Sequence, residues 1–311
     1  MDAARRAITT LDDGTQGHHG SRTVIDWVMR ASLSSDYFAL ERWLPTLIGC
    51  VEAASIQHAG DGHAIGQCLS DVYSVAGWTL IKADSAIGAW IAAQRAVQAA
   101  EQAGDMLRAA AATRCLAEVH MRVGNFEEAT RTALLAAIQL ENTPPDSRQT
   151  AVSLRGAALL SAAAASARRG DSREAHAALK AAEGCAAELG QDRADLATAF
   201  GPTNVAIHQV AIAIELGDAR GALRHVPLVQ LDRMPKPLTE RRARFLIDVA
   251  RSYAHVKDDA AAIDALIQAE TIAPDELRHH RLTHELVLQL LTRESRTSEL
   301  RALAGRCNLI A

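Results

Sequence analysis

The sequence has few aromatic residues, no excess of basic charge and no recognisable catalytic motif. Only 4% of its 311 residues are Phe, Trp or Tyr, and the formal net charge is −4. A protein that binds nucleic acid or a membrane surface normally carries a basic excess or a basic stripe, so neither class is expected. Glycine-rich phosphate loops, GxSxG elbows and spaced carboxylate pairs are also absent. Their absence favours a protein that is not an enzyme and has no catalytic residue.

Signals for membranes, secretion and metals are lacking as well. No apolar run has the length of a membrane span, and residues 1–20 lack the apolar core of a signal peptide. The five cysteines are widely separated and form no CxxC pair, which favours reduced, buried thiols. The pairs His18-His19 and His280/His284 have no further ligand in the pattern, so neither a metal nor a cofactor is expected. The sequence predicts a soluble, cytoplasmic protein.

A repeated 12-residue frame dominates the chain instead. A small residue is followed eight positions later by Asp or Asn, and four positions after that by another small residue. The frame reads Ala76/Asp84/Gly88, Ala117/Asn125/Ala129, Ala163/Asp171/Ala175, Val210/Asp218/Ala222 and Ala250/Asp258/Ala262. Two antiparallel helices approach closely only where side chains are small, and Asp or Asn caps the second helix. The frame therefore predicts one helical hairpin repeated five times.

This pattern predicts an all-α protein, an α-solenoid of helical hairpins. The apolar residues, 49% of the chain, are mainly Ala and Leu rather than the β-branched and aromatic residues typical of sheets. We expect a disordered lead-in at 1–22, then a single helical-repeat domain at 23–311. Its parts are N-terminal cap helices at 24–58, hairpins at 61–103, 105–141, 147–189, 203–230 and 239–272, and C-terminal cap helices at 274–306. Pro227 is expected to shorten or bend the helix that begins at Asp218.

The large aromatic residues are concentrated at one end. All four tryptophans and two of the three tyrosines precede residue 91: Trp27, Trp43, Trp78, Trp90, Tyr37 and Tyr73. Large rings would seal the exposed end of a solenoid, as a terminal cap must. The alternative is that these rings form an aromatic wall of a ligand pocket.

The frame, with Ala136, Ala182 and Ala269 seven positions beyond its last small residue and Pro274 closing one unit, resembles the tetratricopeptide repeat over residues 61–275. Segments of the second half resemble the C-terminal region of actinobacterial XRE-type helix-turn-helix transcriptional regulators. They are Phe200-Gly-Pro-Thr-Asn-Val205, Glu240-Arg-Arg-Ala-Arg-Phe-Leu-Ile-Asp-Val-Ala-Arg251 and Ala269-Glu-x-x-Ala-Pro-Asp-Glu276. The resemblance implies a ligand-sensing or partner-binding half. The roughly 60 residues before the first repeat show no basic recognition segment, so direct binding to nucleic acid is not expected.

The tetratricopeptide register also implies which side chains line a concave groove, because there the first helix of each hairpin faces the groove. The predicted ligand-binding residues are Tyr73, Arg114, Glu118, Asn204, His208, Arg244, Asp248 and Arg251. Arginine offers a planar fork to a carboxylate or phosphate, and an Asn amide pairs with a peptide backbone. Spacings of three and four residues among Arg244, Asp248 and Arg251 leave an alternative, in which these side chains only form surface ion pairs.

The sequence thus predicts a non-enzymatic binding module in transcriptional regulation. Its partner would be a peptide, a small anionic metabolite or a protein segment in the groove, and a homodimer is possible. One alternative is an enzyme built in the groove, with His208 or Glu118 as acid-base groups. The other is an oligomerisation scaffold with a large exposed apolar patch at one end.

Overall fold

The computed structural model describes residues 17–33, 36–57, 62–196, 198–233, 238–279, 281–293 and 298–310. These residues form fifteen α-helices and one short β-hairpin, which confirms the all-α class. The chain divides into two compact units, Met1–Pro202 (unit 1) and Thr203–Ala311 (unit 2), and each is described by itself. A single repeat domain over 23–311 stays a prediction.

Unit 1 consists of antiparallel helices in consecutive contact. In chain order they are α1 (Gly17–Leu33), α2 (Tyr37–Gln57), α3 (Gly62–Lys82), α4 (Ala86–Gln102), α5 (Met106–Arg122), α6 (Phe126–Ile138), α7 (Arg148–Arg169) and α8 (Ser172–Leu189). Each helix from α3 to α8 packs on the next, α1 contacts α3, α3 contacts α5, and α5 contacts α7. The surface formed by α3, α5 and α7 is called the first-helix face below.

The N-terminal boundary of the helical region differs from the sequence prediction. Helix α1 begins at Gly17, so the disordered lead-in predicted for 1–22 is wrong from Gly17 onward, and residues 1–16 lie outside the described residues. Val24 and Val28 are fully buried in a core cluster shared with α2, α3 and α4. That packing holds a helix whose polar, glycine-containing start has low helix propensity.

The repeated frame is confirmed as a packing device. Nine of its ten small or apolar members are buried, most of them completely: Ala76, Ala117, Ala129, Ala163, Ala175, Val210, Ala222, Ala250 and Ala262. Four of the Asp or Asn residues are N-caps whose side chains accept from backbone N–H groups: Asn125, Asp171, Asp218 and Asp258. The first turn differs, since Ser85 is the N-cap of α4. Asp84 precedes it with φ of 58°, a conformation that Asp tolerates better than most residues.

Unit 2 contains a second set of helices. They are α9 (Pro202–Glu215), α10 (Ala219–His225), α11 (Thr239–His255), α12 (Asp259–Ile272), α13 (Pro274–His279), α14 (Arg281–Thr292) and α15 (Ser298–Arg306). The expected effect of Pro227 is confirmed, since α10 ends at His225 and a 3-10 turn, Val226–Leu228, follows. The C-terminal cap contains α13, α14 and α15, and residue 280, which lies between α13 and α14, is outside the described residues.

Unit 1 also contains a β-hairpin that the sequence analysis did not predict. Strands β1 (Arg193–Asp195) and β2 (Thr198–Phe200) pair antiparallel, with Arg193 opposite Phe200. Leu196, in the turn, has a left-handed backbone with φ of 46°. Both strands contact α7, so the hairpin lies against the first-helix face.

Helix α7 is long, and most of its residues are buried. Among the described residues, only the stretch Pro145–Arg169 has the length and mean hydropathy, 1.2, of a membrane span. We expected no apolar segment of membrane-spanning length, and by length and composition alone that expectation is wrong. However, 78% of its apolar window is buried inside the protein, as in the core helix of a soluble protein.

Candidate functional site

A crevice opens on the first-helix face of unit 1, where the β-hairpin meets α3 and α5. Its enclosed part is small, about 10 Å³, which is room for about one water molecule, and the rest of the crevice is open to solvent. Its lining comes from α1, α3, α5 and the hairpin: Met29, Asp71, Ser74, Val75, Trp78, Arg108, Ala111, Arg114, Leu196 and Thr198. The crevice thus brings a few polar groups together between apolar walls, but it is too small to enclose a drug-sized ligand.

Arg114 is the cation of this crevice that has no acidic partner. Its guanidinium lies over the Trp78 ring, 4.7 Å from the centroid, and Nη2 donates to Thr198 Oγ1 at 3.0 Å. Its Nε atom is buried and has no hydrogen-bond partner within the described part of the chain. Burial lowers the pKa of Arg114, and the charges of Cys115 and of Glu118, one turn further along α5, oppose that shift. The site therefore holds a largely buried positive charge with one N–H group, that of Nε, that has no partner among the described residues.

A buried ion pair forms the floor of the crevice. Asp71 is 2% exposed and accepts from Arg108 Nε through both carboxylate oxygens at 3.0 Å. Arg108 also donates to Asp105, the N-cap of α5, at 2.8 Å, and Gln67 donates to the same carboxylate at 2.7 Å. This network ties α3 to the start of α5 and fixes the crevice geometry.

The Asp71 carboxyl should titrate unusually high. Burial raises its pKa to about 6, against the attraction of Arg108. Because the folded pKa lies above the unfolded value of 3.8, the folded state binds this proton more tightly. The Asp71 contribution to the free energy of unfolding should therefore fall as pH rises from about 4 to about 6.

A carbon-detected NMR titration of the Asp71 side chain gives the pKa directly. Urea unfolding of the natural chain and of Asp71→Asn across that pH range then gives the slope. The stability of the natural chain relative to Asp71→Asn should decline as pH rises. A carboxyl titrating near 3.8, with no slope, would show that burial does not control this group.

The hairpin is anchored on α7 next to the crevice. Phe200 is 1% exposed and lies against Gly156, where a Cβ atom would come within 2.0 Å of the ring. Leu196 packs against the core of α5 and α7. Arg193 donates to Gln149 at 2.9 Å and Thr150 donates to Asp195 at 3.4 Å, so side chains at both ends of β1 bind α7. An extended segment of the chain is thus already seated on the first-helix face.

The predicted site residues of unit 1 do not share one location. Arg114 lines the crevice, and Glu118 follows on the same helix. Tyr73 faces away from it, because its hydroxyl bonds Glu52 of α2 and accepts from Arg95 of α4 at 2.6 Å. The expectation that Tyr73 lines the groove is therefore wrong: α2 and α4 cover the side of α3 to which it points.

The aromatic concentration has two explanations at different residues. Tyr37, Trp27 and Trp43 pack against the N-terminal core cluster, as a terminal cap would. Trp78 instead lines the crevice below Arg114. The terminal-cap interpretation is therefore confirmed for Tyr37, Trp27 and Trp43, and an aromatic wall of a ligand pocket stays a prediction.

The predicted site residues of unit 2 lie on α9 and α11, and they form hydrogen bonds and ion pairs with other residues of unit 2. Asn204, 2% exposed, accepts from Arg241 at 2.8 Å through its side-chain oxygen, and His208 Nδ1 lies 2.9 Å from the Asn204 carbonyl. Arg251 binds both Asp248 and Glu215 at 2.9 Å. These contacts account for most of the polar groups that the sequence singled out on these helices.

The sequence left the alternative that Arg244, Asp248 and Arg251 only form ion pairs, and the structure shows the partners of Arg244 and Asp248. Arg244 pairs with Glu276 of α13 at 2.9 Å and with Glu240 at 3.5 Å, rather than with Asp248. Burial raises the pKa of Asp248, although Arg251 opposes that shift. Carboxylates therefore already neutralise the arginines of this cluster, which distinguishes them from Arg114.

Two further expectations concern metal ligands and thiols. His284 Nε2 bonds the Arg278 carbonyl at 2.8 Å, and its proposed partner His280 lies outside the described residues. Within the described ranges, no three His, Cys, Asp or Glu side chains are grouped to hold a metal ion. All five cysteines are free thiols, and burial raises the pKa of Cys115 to about 12.

Sequence reasoning missed most of the crevice. Trp78, Thr198, Asp71 and Arg108 were not among the predicted site residues. Asp71 lies two positions before Tyr73 and therefore on the opposite side of α3. A register that is wrong by two residues assigns Tyr73 to the groove in place of Asp71. The bracketing glycines Gly190 and Gly201, with φ of 68° and 157°, were the signal for a turn-bounded segment before α9.

Comparisons with known proteins bear on the fold. No family model matches the sequence, and no curated protein matches it. Among solved structures, the chain is similar to the crystal structure of BtubC (BKLC) from P. vanneervenii. That match has a TM-score of 0.50 and 16% identity, and covers 76% of this chain and 92% of that one.

A second similar structure is a circular tandem repeat protein with novel repeat topology and enhanced subunit contact surfaces. It has a TM-score of 0.28 and 13% identity, and the match covers 99% of this chain and 74% of that one. The first likeness, together with the observed helices, shows an α-solenoid of helical repeats.

Proposed function

We propose that this protein is a non-enzymatic binding module whose first-helix face in unit 1 holds an extended, peptide-like segment. One observation carries the proposal: the chain's own β-hairpin already lies on that face. Its backbone is extended, its Phe200 ring fills the space above Gly156, and its polar side chains bond α5 and α7. A surface that seats such a segment from its own chain has the shape and hydrogen-bonding groups to seat one from a partner.

The role in transcriptional regulation and the cytoplasmic location are part of this proposal. They are supported by the resemblance of the second half to XRE-type regulators. The crevice is consistent with binding rather than catalysis, because Arg108 holds both oxygens of Asp71, its most strongly shifted carboxylate. For the oligomerisation alternative, the relevant feature is one turn of α4 that exposes Ile87, Trp90 and Ile91.

The test is whether the hairpin binds in trans. In the full chain, residues 192–200 are replaced by a Gly-Ser linker of equal length, and a cyclised peptide of residues 191–201 is titrated by calorimetry. We expect saturable one-to-one binding to the linker variant and much weaker binding to the natural chain, in which the protein's own hairpin competes for the face. A peptide with Phe200→Ala should bind at least about tenfold more weakly, because the ring is the buried anchor.

Two controls make the result interpretable. The linker variant carrying Gly156→Ala should lose the peptide, while one carrying Gly184→Ala on α8 should keep it. If the linker variant does not fold, the natural chain with Phe200→Ala, which loosens the hairpin while keeping its length, replaces it in the titration. If the variant is folded but does not bind the peptide, the first-helix face is not a binding surface for such a segment.

A further inference from the structure

Two residues of β2 contact two different helices of the first-helix face. Thr198 and Phe200 are 3% and 1% exposed and, being two positions apart on a strand, lie on the same side of it. The Thr198 hydroxyl accepts from Arg114 Nη2 of α5 at 3.0 Å, and the Phe200 ring lies against Gly156 of α7. Because α5 contacts α7 directly, the helices fix the distance between these two contacts, and two residues of extended chain, about 7 Å, span it.

Each of the two contacts favours one kind of side chain. The Arg114 guanidinium stacks on Trp78, 4.7 Å from the ring centroid, so its Nη2 donor is held in one direction and needs an acceptor there. Cζ, the atom at the tip of the Phe200 ring, is the atom nearest to the position of a Cβ on Gly156, at 2.0 Å. A tyrosine hydroxyl would extend from that same ring atom towards the α7 backbone. The contacts therefore favour Ser or Thr at one position and Phe rather than Tyr two positions later.

We infer that the partner of the first-helix face is a protein segment that presents Ser or Thr two residues before Phe in an extended strand, and that it displaces the chain's own hairpin. The inference rests on the proposed function, because it names the class of segment that the same face holds. A segment without the hydroxyl leaves Arg114 Nη2 without this acceptor. Losing a hydrogen bond to a charged group weakens binding about tenfold or more.

The hairpin is joined to the rest of unit 1 in a way that allows this exchange. A Cβ atom on Gly201 would lie 2.5 Å from Asp192 Cα and 2.7 Å from the Gln191 carbonyl oxygen, so the chain enters and leaves the hairpin at one place. Just before that place, α8 ends at Gly190, whose φ of 68° is left-handed. Residues 192–200 can therefore detach from α5 and α7 without moving α8. The hairpin thus acts as an internal competitor for the face.

The recognition pattern is tested with variants of the cyclised peptide of residues 191–201, because these leave the protein unchanged. Each is titrated by calorimetry into the linker variant of the full chain or, if that variant does not fold, into the natural chain with Phe200→Ala. Thr198→Ser should bind about as tightly as the natural peptide. Thr198→Val, which has the same shape without the hydroxyl, and Phe200→Tyr should each bind at least about tenfold more weakly. A peptide with both Thr198→Phe and Phe200→Thr keeps the natural composition and should not bind.

Two measurements on the protein locate the effect. In a linker variant that also carries Arg114→Met, the natural and Thr198→Val peptides should bind equally, because the donor is gone. Exposed Arg131→Ala should leave the difference between the two peptides intact. In the ¹⁵N-labelled natural chain, the natural peptide should bind more weakly than in the linker variant. At saturation the amides of 193–200 should exchange faster, because the hairpin has left the face.

Equal binding of the natural, Thr198→Val and exchanged peptides would overturn the inference, and so would a Thr198→Val loss that Arg114→Met does not remove. Hairpin amides that stay protected while the peptide saturates the natural chain would overturn displacement. If Arg114→Met does not fold, the peptide variants decide the question. If all peptides bind the linker variant equally, the face is a binding surface without this pattern, and only the inference is wrong. If a folded linker variant binds none of them, the proposed function is wrong as well.

Discussion

Replacing Gly156 by alanine should detach the β-hairpin from α7. The added methyl group would lie 2.0 Å from Phe200 Cζ and 2.2 Å from Cε1, so the ring has to leave its place. Loss of a fully buried Phe contact costs about 3–5 kcal/mol in the free energy of unfolding. Urea unfolding of unit 1, followed with amide exchange over 193–200, measures both the loss and its location.

Three companion variants separate this explanation from a general effect of alanine. Phe200→Ala should cost about as much, and the double variant no more than Phe200→Ala alone, because both changes remove one contact. Gly184→Ala, on α8 with no heavy atom within 4 Å of its new Cβ, should be neutral or slightly stabilising. Additive losses in the double variant would show that Gly156 and Phe200 act separately.

The second large effect is expected at the buried ion pair beneath the crevice. Arg108→Ala leaves Asp71, which is 2% exposed, without its cation and deprives Asp105 of a partner. Removing one member of a buried pair typically costs about 3–5 kcal/mol, because the remaining charge stays desolvated. Urea unfolding at pH 7.5, above the raised pKa of Asp71, is the measurement.

The double variant Arg108→Met with Asp71→Leu tests the cause, since it removes both charges and refills the space. It should recover most of the lost stability. Exposed Arg131→Ala, which breaks a pair with Glu128 on the surface of α6, should change stability little. An Arg108→Ala variant as stable as Arg131→Ala would mean that water reaches Asp71 freely and that the floor of the crevice is not rigid.

The repeated frame explains why so much of the fold was predictable. A small residue at Ala117 or Ala163 and a cap at Asn125 or Asp171 act locally, through helix contact distance and one backbone hydrogen bond. Such signals can be read from spacing alone, and the hairpins lie close to the predicted bounds. At the fifth turn Lys257 takes the left-handed conformation, with φ of 69°, that Gly124, Gly170 and Gly217 take at the second, third and fourth turns.

The site was less predictable because it depends on contacts between distant segments. Arg114 was predicted from register, but only the packed structure shows that its guanidinium lies over Trp78 and donates to Thr198 instead of forming an ion pair. Asn204 and Arg251 were predicted as ligand-binding residues by the same register, yet Asn204 accepts a hydrogen bond from Arg241 and Arg251 pairs with Glu215. The hairpin that completes the crevice has three-residue strands, too short for an alternating pattern. Its position on α7 depends on the match between Phe200 and Gly156, which are 44 residues apart.

The most direct test of the central claim is an NMR map of where the hairpin peptide binds. The linker variant of the full chain, labelled with ¹⁵N, is titrated with the cyclised peptide of residues 191–201, and backbone amide shifts are followed. The first-helix face predicts the largest shifts on α5 and α7, around Arg114 and Gly156, with the Trp78 indole N–H also moving. Shifts confined to the second helices α4 and α6, or spread evenly over unit 1, would contradict the assignment of this face as the binding surface.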